Sequence, residues 1–189
     1  MEKNSSFNEG DKITIYSKSQ LVGNSKKLYV NYKNLAKDIK EGENILLDDG
    51  KIILKILSTN KRDLITAEVI QGGNIDSNKG FNLPNTKISL SPLTEKDIED
   101  AILAIKEKVD WLALSFVRSK SDIEDLLKII DQNSEYRIPV IAKIEKPEAL
   151  KDIDKIIKVS SGLMVARGDL GVELESSEIP LIQKKLVAK

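Results

Sequence analysis

Lys143 and Glu145 stand two residues apart in IPVIAKIE (138–145), with Ile144 between them. The apolar run around them is strand-like. A strand has a period of two, so both charged side chains point to one face. A structural ion pair is one use for such a pair. Chemistry is another: an ammonium group neutralises a moving phosphoryl group, and a carboxylate ligates a hard cation. A second charged strand end lies in GLMVARGD, where Ala166, Arg167 and Gly168 precede Asp169. Asp169 adds a second carboxylate. Gly168 has no side chain, so its backbone N–H can approach an anion closely. A bare Arg-Gly-Asp is otherwise an ordinary turn. A third strand end carries Phe116-Val117-Arg118. Taken alone, Arg118 reads as a surface or structural arginine, and Trp111 as a core residue. If the strands are parallel neighbours, about 4.8 Å apart, Glu145 and Asp169 converge on one cation. Two carboxylates with substrate oxygens and waters are a normal set for magnesium.

Composition narrows the options. The 189 residues include 30 basic and 30 acidic side chains, so the net charge is zero and binding driven by nucleic-acid phosphates is not expected. No apolar run approaches the ~20 residues of a membrane span. The polar start MEKNSSFNEGDK has no signal-peptide core. Cysteine is absent, which excludes disulfides and thiol catalysis and fits a cytoplasmic protein. Histidine is absent too, which removes the commonest general base and transition-metal ligand.

Two kinds of segment must position these groups. Before Pro84, short β-like runs alternate with turns: KITIYS (12–17), KLYVNY (27–32), NILL (44–47), KIILKILS (51–58) and LITAEVIQ (64–71). Asp48-Asp49-Gly50 is a hairpin signal, and Asn60-Lys61-Arg62-Asp63 joins the next two runs. LAKDIKEG (35–42) suits a short helical turn. The whole reads as a small, mostly antiparallel β module.

After Pro84 the pattern is βα. TEKDIEDAILAIKEK (94–108) is an amphipathic helix, with Thr94 and Asp97 resembling a capping box. VDWLALSFV (109–117) has the length and apolarity of a buried parallel strand. A helix over 119–130, the strand 138–145, a helix over 148–159 behind Pro147, and a strand over 162–168 follow. A last helix starts near Glu178. Strand starts recur roughly every 25 residues, the rhythm of βα units. An open doubly wound sheet and part of a βα barrel both fit. No Gly-rich phosphate fingerprint follows a strand. The barrel accounts better for Lys143 and Glu145, because the carboxyl ends of barrel strands carry the active site.

At these residues the chain resembles pyruvate kinase. AKIEKPEAL and SSGLMVARGDLGVEL carry the resemblance, with LLDDGKI (46–52), NKGFNLPNTKISL (78–90), LTEKDIEDAI (93–102) and LSFVRS (114–119) in the matching order. It implies an α/β fold: a partial (β/α)8 TIM barrel over residues 84–189, with an inserted small antiparallel β-barrel lid domain over residues 1–83. It implies phosphate transfer from phosphoenolpyruvate to ADP, giving pyruvate and ATP in glycolysis, with Mg²⁺ (or Mn²⁺) and K⁺. Lys143 matches the family's lysine on the transferring phosphoryl group, and Glu145 and Asp169 match its magnesium ligands. The backbone at Ala166, Arg167 and Gly168 matches the segment holding the substrate carboxylate. Phe116 and Arg118 match residues near the site, and Lys79 matches a lid lysine near the nucleotide phosphates. The family is usually homotetrameric.

The resemblance also implies departures. The family's first two and last three barrel strands, its potassium ligands and its regulatory domain have no counterpart here. A full barrel takes about 250 residues, and this chain carries roughly three βα units of one. The expectation is an incomplete chain, inactive by itself and prone to associate through open strand edges. Two other readings stand beside it. One is a magnesium-dependent pyruvate aldolase or lyase on a related barrel, which usually lacks a β lid. The other is a non-catalytic piece.

Overall fold

The computed structural model describes residues 5–89 and 93–189. The chain divides into two compact units, Met1–Ser89 and Leu90–Lys189, each with its own apolar core.

The first unit holds β1 (Ser6–Phe7), β2 (Lys12–Tyr16), β3 (Lys27–Tyr29), α1 (Leu35–Asp38), β4 (Asn44–Leu47), β5 (Ile52–Thr59), β6 (Leu64–Gln71), β7 (Gly73–Asn74) and β8 (Phe81–Asn82). Six of the strands form one sheet in the order β3-β2-β6-β5-β4-β8. All neighbours are antiparallel except β2 and β3, which run parallel. Alternation builds the core: Ile13 and Ile15, then Ile52, Leu54 and Ile56, then Ile65, Ala67 and Val69 are buried at every second position. Each of the buried Ile, Leu and Val side chains contributes about 1.5–3 kcal/mol. Asp48, Asp49 and Gly50 all take positive φ (49°, 57° and 83°), and the turn brings Leu47 opposite Ile52. That is the hairpin expected between these runs. KLYVNY is a strand only over its first half.

The second unit holds α2 (Glu95–Lys106), β9 (Leu112–Leu114), α3 (Lys120–Asn133), β10 (Val140–Ile144), α4 (Pro147–Lys151), α5 (Ile153–Val159), β11 (Gly162–Val165), α6 (Arg167–Glu173) and α7 (Ile179–Val187). Its sheet is parallel in the order β11-β10-β9. The βα alternation and the parallel pairing agree with an α/β chain. Both capping boxes are formed, Thr94 with Asp97 on α2 and Ser119 with Asp122 on α3.

Four expectations need correction. The strand at 109–117 covers only Leu112–Leu114: at its start the Val109 amide still donates to the Ala104 carbonyl of α2 at 3.3 Å, and at its end the chain bends sharply at Phe116, whose φ is +56°. Trp111 precedes that strand and is 52% exposed rather than in the core. The strand at 162–168 ends at Val165, and Arg167 already belongs to α6. The single helix at 148–159 is two helices with a break at Asp152, whose carboxylate accepts the Lys120 amide of α3 at 2.9 Å. Among the described residues no helix is long and apolar enough to cross a membrane.

Candidate active site

β9, β10 and β11 run the same way, with Ala142 opposite Leu114 and Ile144 opposite Val165. The residues that follow them therefore share the carboxyl end of one sheet: Ser115 and Phe116, Glu145 and Lys146, Ala166 and Arg167. This is where the chemistry-bearing residues of the second unit gather.

Lys143 and Glu145 share a face, as the strand period requires, and Ile144 between them is fully buried on the other. Lys143 Nζ lies 2.6 Å from Glu145 Oε1 and donates to Ser115 Oγ at 2.9 Å. Glu145 is 3% exposed, and its Oε2 accepts the Phe116 amide at 2.9 Å. The left-handed backbone at Phe116 is uncommon for a bulky residue. Here it belongs to the bend whose amide reaches Glu145, while the ring stays largely exposed. Ser115 is a site residue that the sequence reading passed over. Its only signal was its place beside Phe116 in LSFVRS.

Arg118 is held by its surroundings. Its amide donates to Asp122 Oδ2 at 2.7 Å, and its Nε lies 3.8 Å from the same oxygen. Asp122 also accepts the Ser119 amide at 3.2 Å and is itself buried.

Ala166 is the N-cap of α6, and its carbonyl accepts the Leu170 amide at 3.0 Å. The amides of Arg167, Gly168 and Asp169 are thus first-turn groups, which have no intrahelical acceptor. The Ala166 amide donates to the Ile144 carbonyl at 3.1 Å, which joins the start of α6 to the end of β10. Arg167, Gly168 and Asp169 are exposed. Arg167 and Gly168, with Gly171, Ser176, Ile179 and Gln183, line a hollow of about 370 Å³.

One further ion pair lies at this end of the sheet. Lys146, the residue after Glu145, pairs with Glu173 at the end of α6, and both side chains are buried. Neither was singled out from the sequence, since 27 positions separate them.

Lys79 belongs to the first unit. It lines a cleft of about 540 Å³ there, with Val22, Tyr29, Asn31, Asp76 and Phe81. Its Nζ lies 3.0 Å from Asp48 Oδ1. Hydrogen bonds from Lys51 and Lys79 hold the Asp48 carboxyl below the usual carboxylate range.

The donors at the sheet end suit a hard cation better than a soft one, since Glu145 and Asp169 are carboxylates and the chain has neither a cysteine thiolate nor an imidazole. Glu145 Oε1 is in the ion pair with Lys143 and Oε2 accepts one hydrogen bond, and each oxygen keeps a second lone pair. Among the described residues no cluster of three or more acidic side chains could hold a metal between them. A cation here would therefore need further ligands from substrate and water.

The family model for the pyruvate kinase barrel domain matches residues 1–189. The chain belongs to the pyruvate kinase family. It is 44% identical over 181 residues to the pyruvate kinase of Sporosarcina psychrophila, covering 95% of this chain and 31% of that protein. It is 45% identical over 181 residues to the Corynebacterium glutamicum pyruvate kinase, covering 96% of this chain and 38% of that protein. For the Clostridium perfringens pyruvate kinase the identity is 41% over 180 residues, with 95% and 38% covered. The chain thus spans about a third of the length of the curated relatives it matches.

Proposed function

We propose that the protein this chain represents transfers phosphate from phosphoenolpyruvate to ADP, yielding pyruvate and ATP. The observation that carries the reading is the Lys143–Glu145 pair on one face at the carboxyl end of a parallel strand. It stands in a chain matched over its whole length by a pyruvate kinase model. In this reading the P–O bond to the enol oxygen breaks and a new one forms to the terminal phosphate of ADP. The enolate then takes up a proton to give pyruvate. Phosphoryl transfer is mainly positioning and charge stabilisation. Lys143 supplies the positive charge, and its ammonium is aimed by Ser115 and Glu145.

Glu145 and Asp169 are the residues proposed to hold Mg²⁺, which when bound would neutralise phosphate oxygens. The first-turn amides at Arg167 and Gly168 and the Ala166 backbone are proposed to receive the substrate carboxylate. Phe116 and Arg118 border the site, the first by presenting its amide to Glu145. Lys79 is proposed to meet the nucleotide phosphates. Residues 1–83 are proposed as a lid that excludes water during transfer, and residues 84–189 as part of a (β/α)8 barrel. Family membership supports the wider expectations: K⁺ as a second cation, a homotetramer, and a cytoplasmic, glycolytic setting.

The test is pyruvate formation from phosphoenolpyruvate in the whole protein, required to depend on ADP. Lys143→Met should lower kcat by at least about a hundredfold while the far-ultraviolet circular dichroism stays native. Pyruvate release without ADP, or native turnover by Lys143→Met, overturns the reading.

A further inference from the structure

We infer that the buried Lys146–Glu173 ion pair is a positioning device that sets the distance between the Glu145 and Asp169 carboxylates. The inference rests on the proposed cation site. Glu145 is covalently next to Lys146, at the end of β10. Asp169 precedes Glu173 by four residues, so both lie on one face of α6, about one turn of 5.4 Å apart. The ion pair therefore joins the two neighbours of the two carboxylates.

α6 is attached to the end of β10 at both of its ends. At its start the Ala166 amide donates to the Ile144 carbonyl at 3.1 Å. At its finish Glu173 meets Lys146. Asp169 lies between the two attachments. Leu170 seats the helix in the core, but apolar contact is non-directional and does not fix rotation about the helix axis or pivoting about its first turn. Without that pair the far end of α6 is held chiefly by apolar contact, through Leu174 as well as Leu170, and Asp169 can shift relative to Glu145. The seven-residue helix is too short to hold a direction by its own hydrogen bonds.

Stability alone is a poor reason for such a pair. The side chains of Lys146 and Glu173 are 9% and 1% exposed. Removing two charges from water costs enough that apolar residues of similar size often serve as well or better. What an apolar pair does not supply is a fixed direction. A group that orients a metal ligand without touching the metal typically influences affinity 10–100-fold.

The experiment uses the whole protein and Mn²⁺ as probe, with free Mn²⁺ read by electron paramagnetic resonance and unfolding read by urea titration. Glu145→Gln is the reference and should weaken Mn²⁺ binding. The apolar double variant Lys146→Met/Glu173→Leu should keep the parent's urea midpoint yet bind Mn²⁺ at least about tenfold more weakly. Lys146→Arg, which restores a charged donor, should bind within about threefold of the parent, well short of that loss. Parent-like Mn²⁺ affinity in the folded double variant overturns the inference while leaving the cation site intact. Unchanged affinity in Glu145→Gln overturns the cation site and the inference with it. If the double variant does not fold, Lys146→Met decides: it removes the attachment, and the buried Glu173 carboxyl can take up a proton. Weakened Mn²⁺ binding then supports the device, and native binding refutes it.

Discussion

Lys143 and Glu145 meet across one residue of β10, Nζ to Oε1 at 2.6 Å, yet they differ in their access to water. The Glu145 side chain is 3% exposed and that of Lys143 is 26% exposed. If the lysine is truncated, a buried carboxylate keeps only the Phe116 amide. If the carboxylate is neutralised, the lysine still has Ser115 and solvent. Lys143→Met should therefore cost about 1–3 kcal/mol, the penalty of an uncompensated buried group. Glu145→Gln should cost less. Urea unfolding of the two variants checks the order, and the reverse order would contradict this account of the pair.

Phe116 stands at φ +56° with its ring largely exposed. A left-handed non-glycine backbone costs on the order of 1–3 kcal/mol, and little buried area repays it here. Phe116→Gly relieves that strain at the price of chain entropy, so its stability should fall within about 1 kcal/mol of the parent. Phe116→Val puts a β-branched residue where it fits worst and should lie at least about 1 kcal/mol below the glycine variant. Thermal melting of both would show it. Equal melting temperatures would mean that the bend is held without strain.

The regular strands and the two longer helices were legible because each carries its own period. Ile13 and Ile15, or Ile52, Leu54 and Ile56, alternate as a half-buried strand must. Thr94 announces α2 by its cap. VDWLALSFV was read too long because an unbroken apolar run does not say which of its members are covered. Trp111 and Phe116 turn out to face solvent. GLMVARG reads as a strand to Gly168, and the two glycines of RGDLGVE give no helix signal. Burial of Leu170 and the Ala166 tie to β10 override that propensity. At the site, Lys143 and Glu145 were readable by strand period alone. Ser115 and the Lys146–Glu173 pair were not, because their roles depend on which distant segments the fold brings together.

Thr94 and Asp97 cap α2 reciprocally: the Thr94 amide reaches Asp97 Oδ2 at 2.8 Å, and the Asp97 amide reaches Thr94 Oγ1 at 3.2 Å. Thr94→Ala should destabilise the chain by about 1 kcal/mol. The Thr94 hydroxyl and then its amide hold the Asp97 carboxyl below the usual carboxylate range. A lowered folded pKa contributes stability above the unfolded value, near pH 4, and that stability is lost as pH falls through the folded pKa. The gap between parent and Thr94→Ala should hence be constant from pH 7 to 5 and narrow below about pH 4. A gap that widens in acid would assign the cap to something other than the carboxylate.

Asp48 joins a turn to a proposed nucleotide contact. It sits at φ 49° in the β4–β5 turn, where asparagine is as well accommodated as aspartate. Its Oδ1 meets Lys79 and its Oδ2 meets Lys51 at 2.8 Å. Asp48→Asn thus preserves the turn while removing the charge that holds Lys79. A lysine released from its counter-ion samples more rotamers and binds a phosphate with a larger entropy loss. The expected outcome in the whole protein is a higher KM for ADP, with kcat and the KM for phosphoenolpyruvate unchanged. Lys79→Met should raise the same KM further, and the double variant should match Lys79→Met alone, because the effect of Asp48 passes through Lys79. Lys51 stays in place as a control: Lys51→Met removes the other partner of Asp48 and should leave the KM for ADP near the parent's. Additive effects of Asp48→Asn and Lys79→Met would show that the two residues act separately.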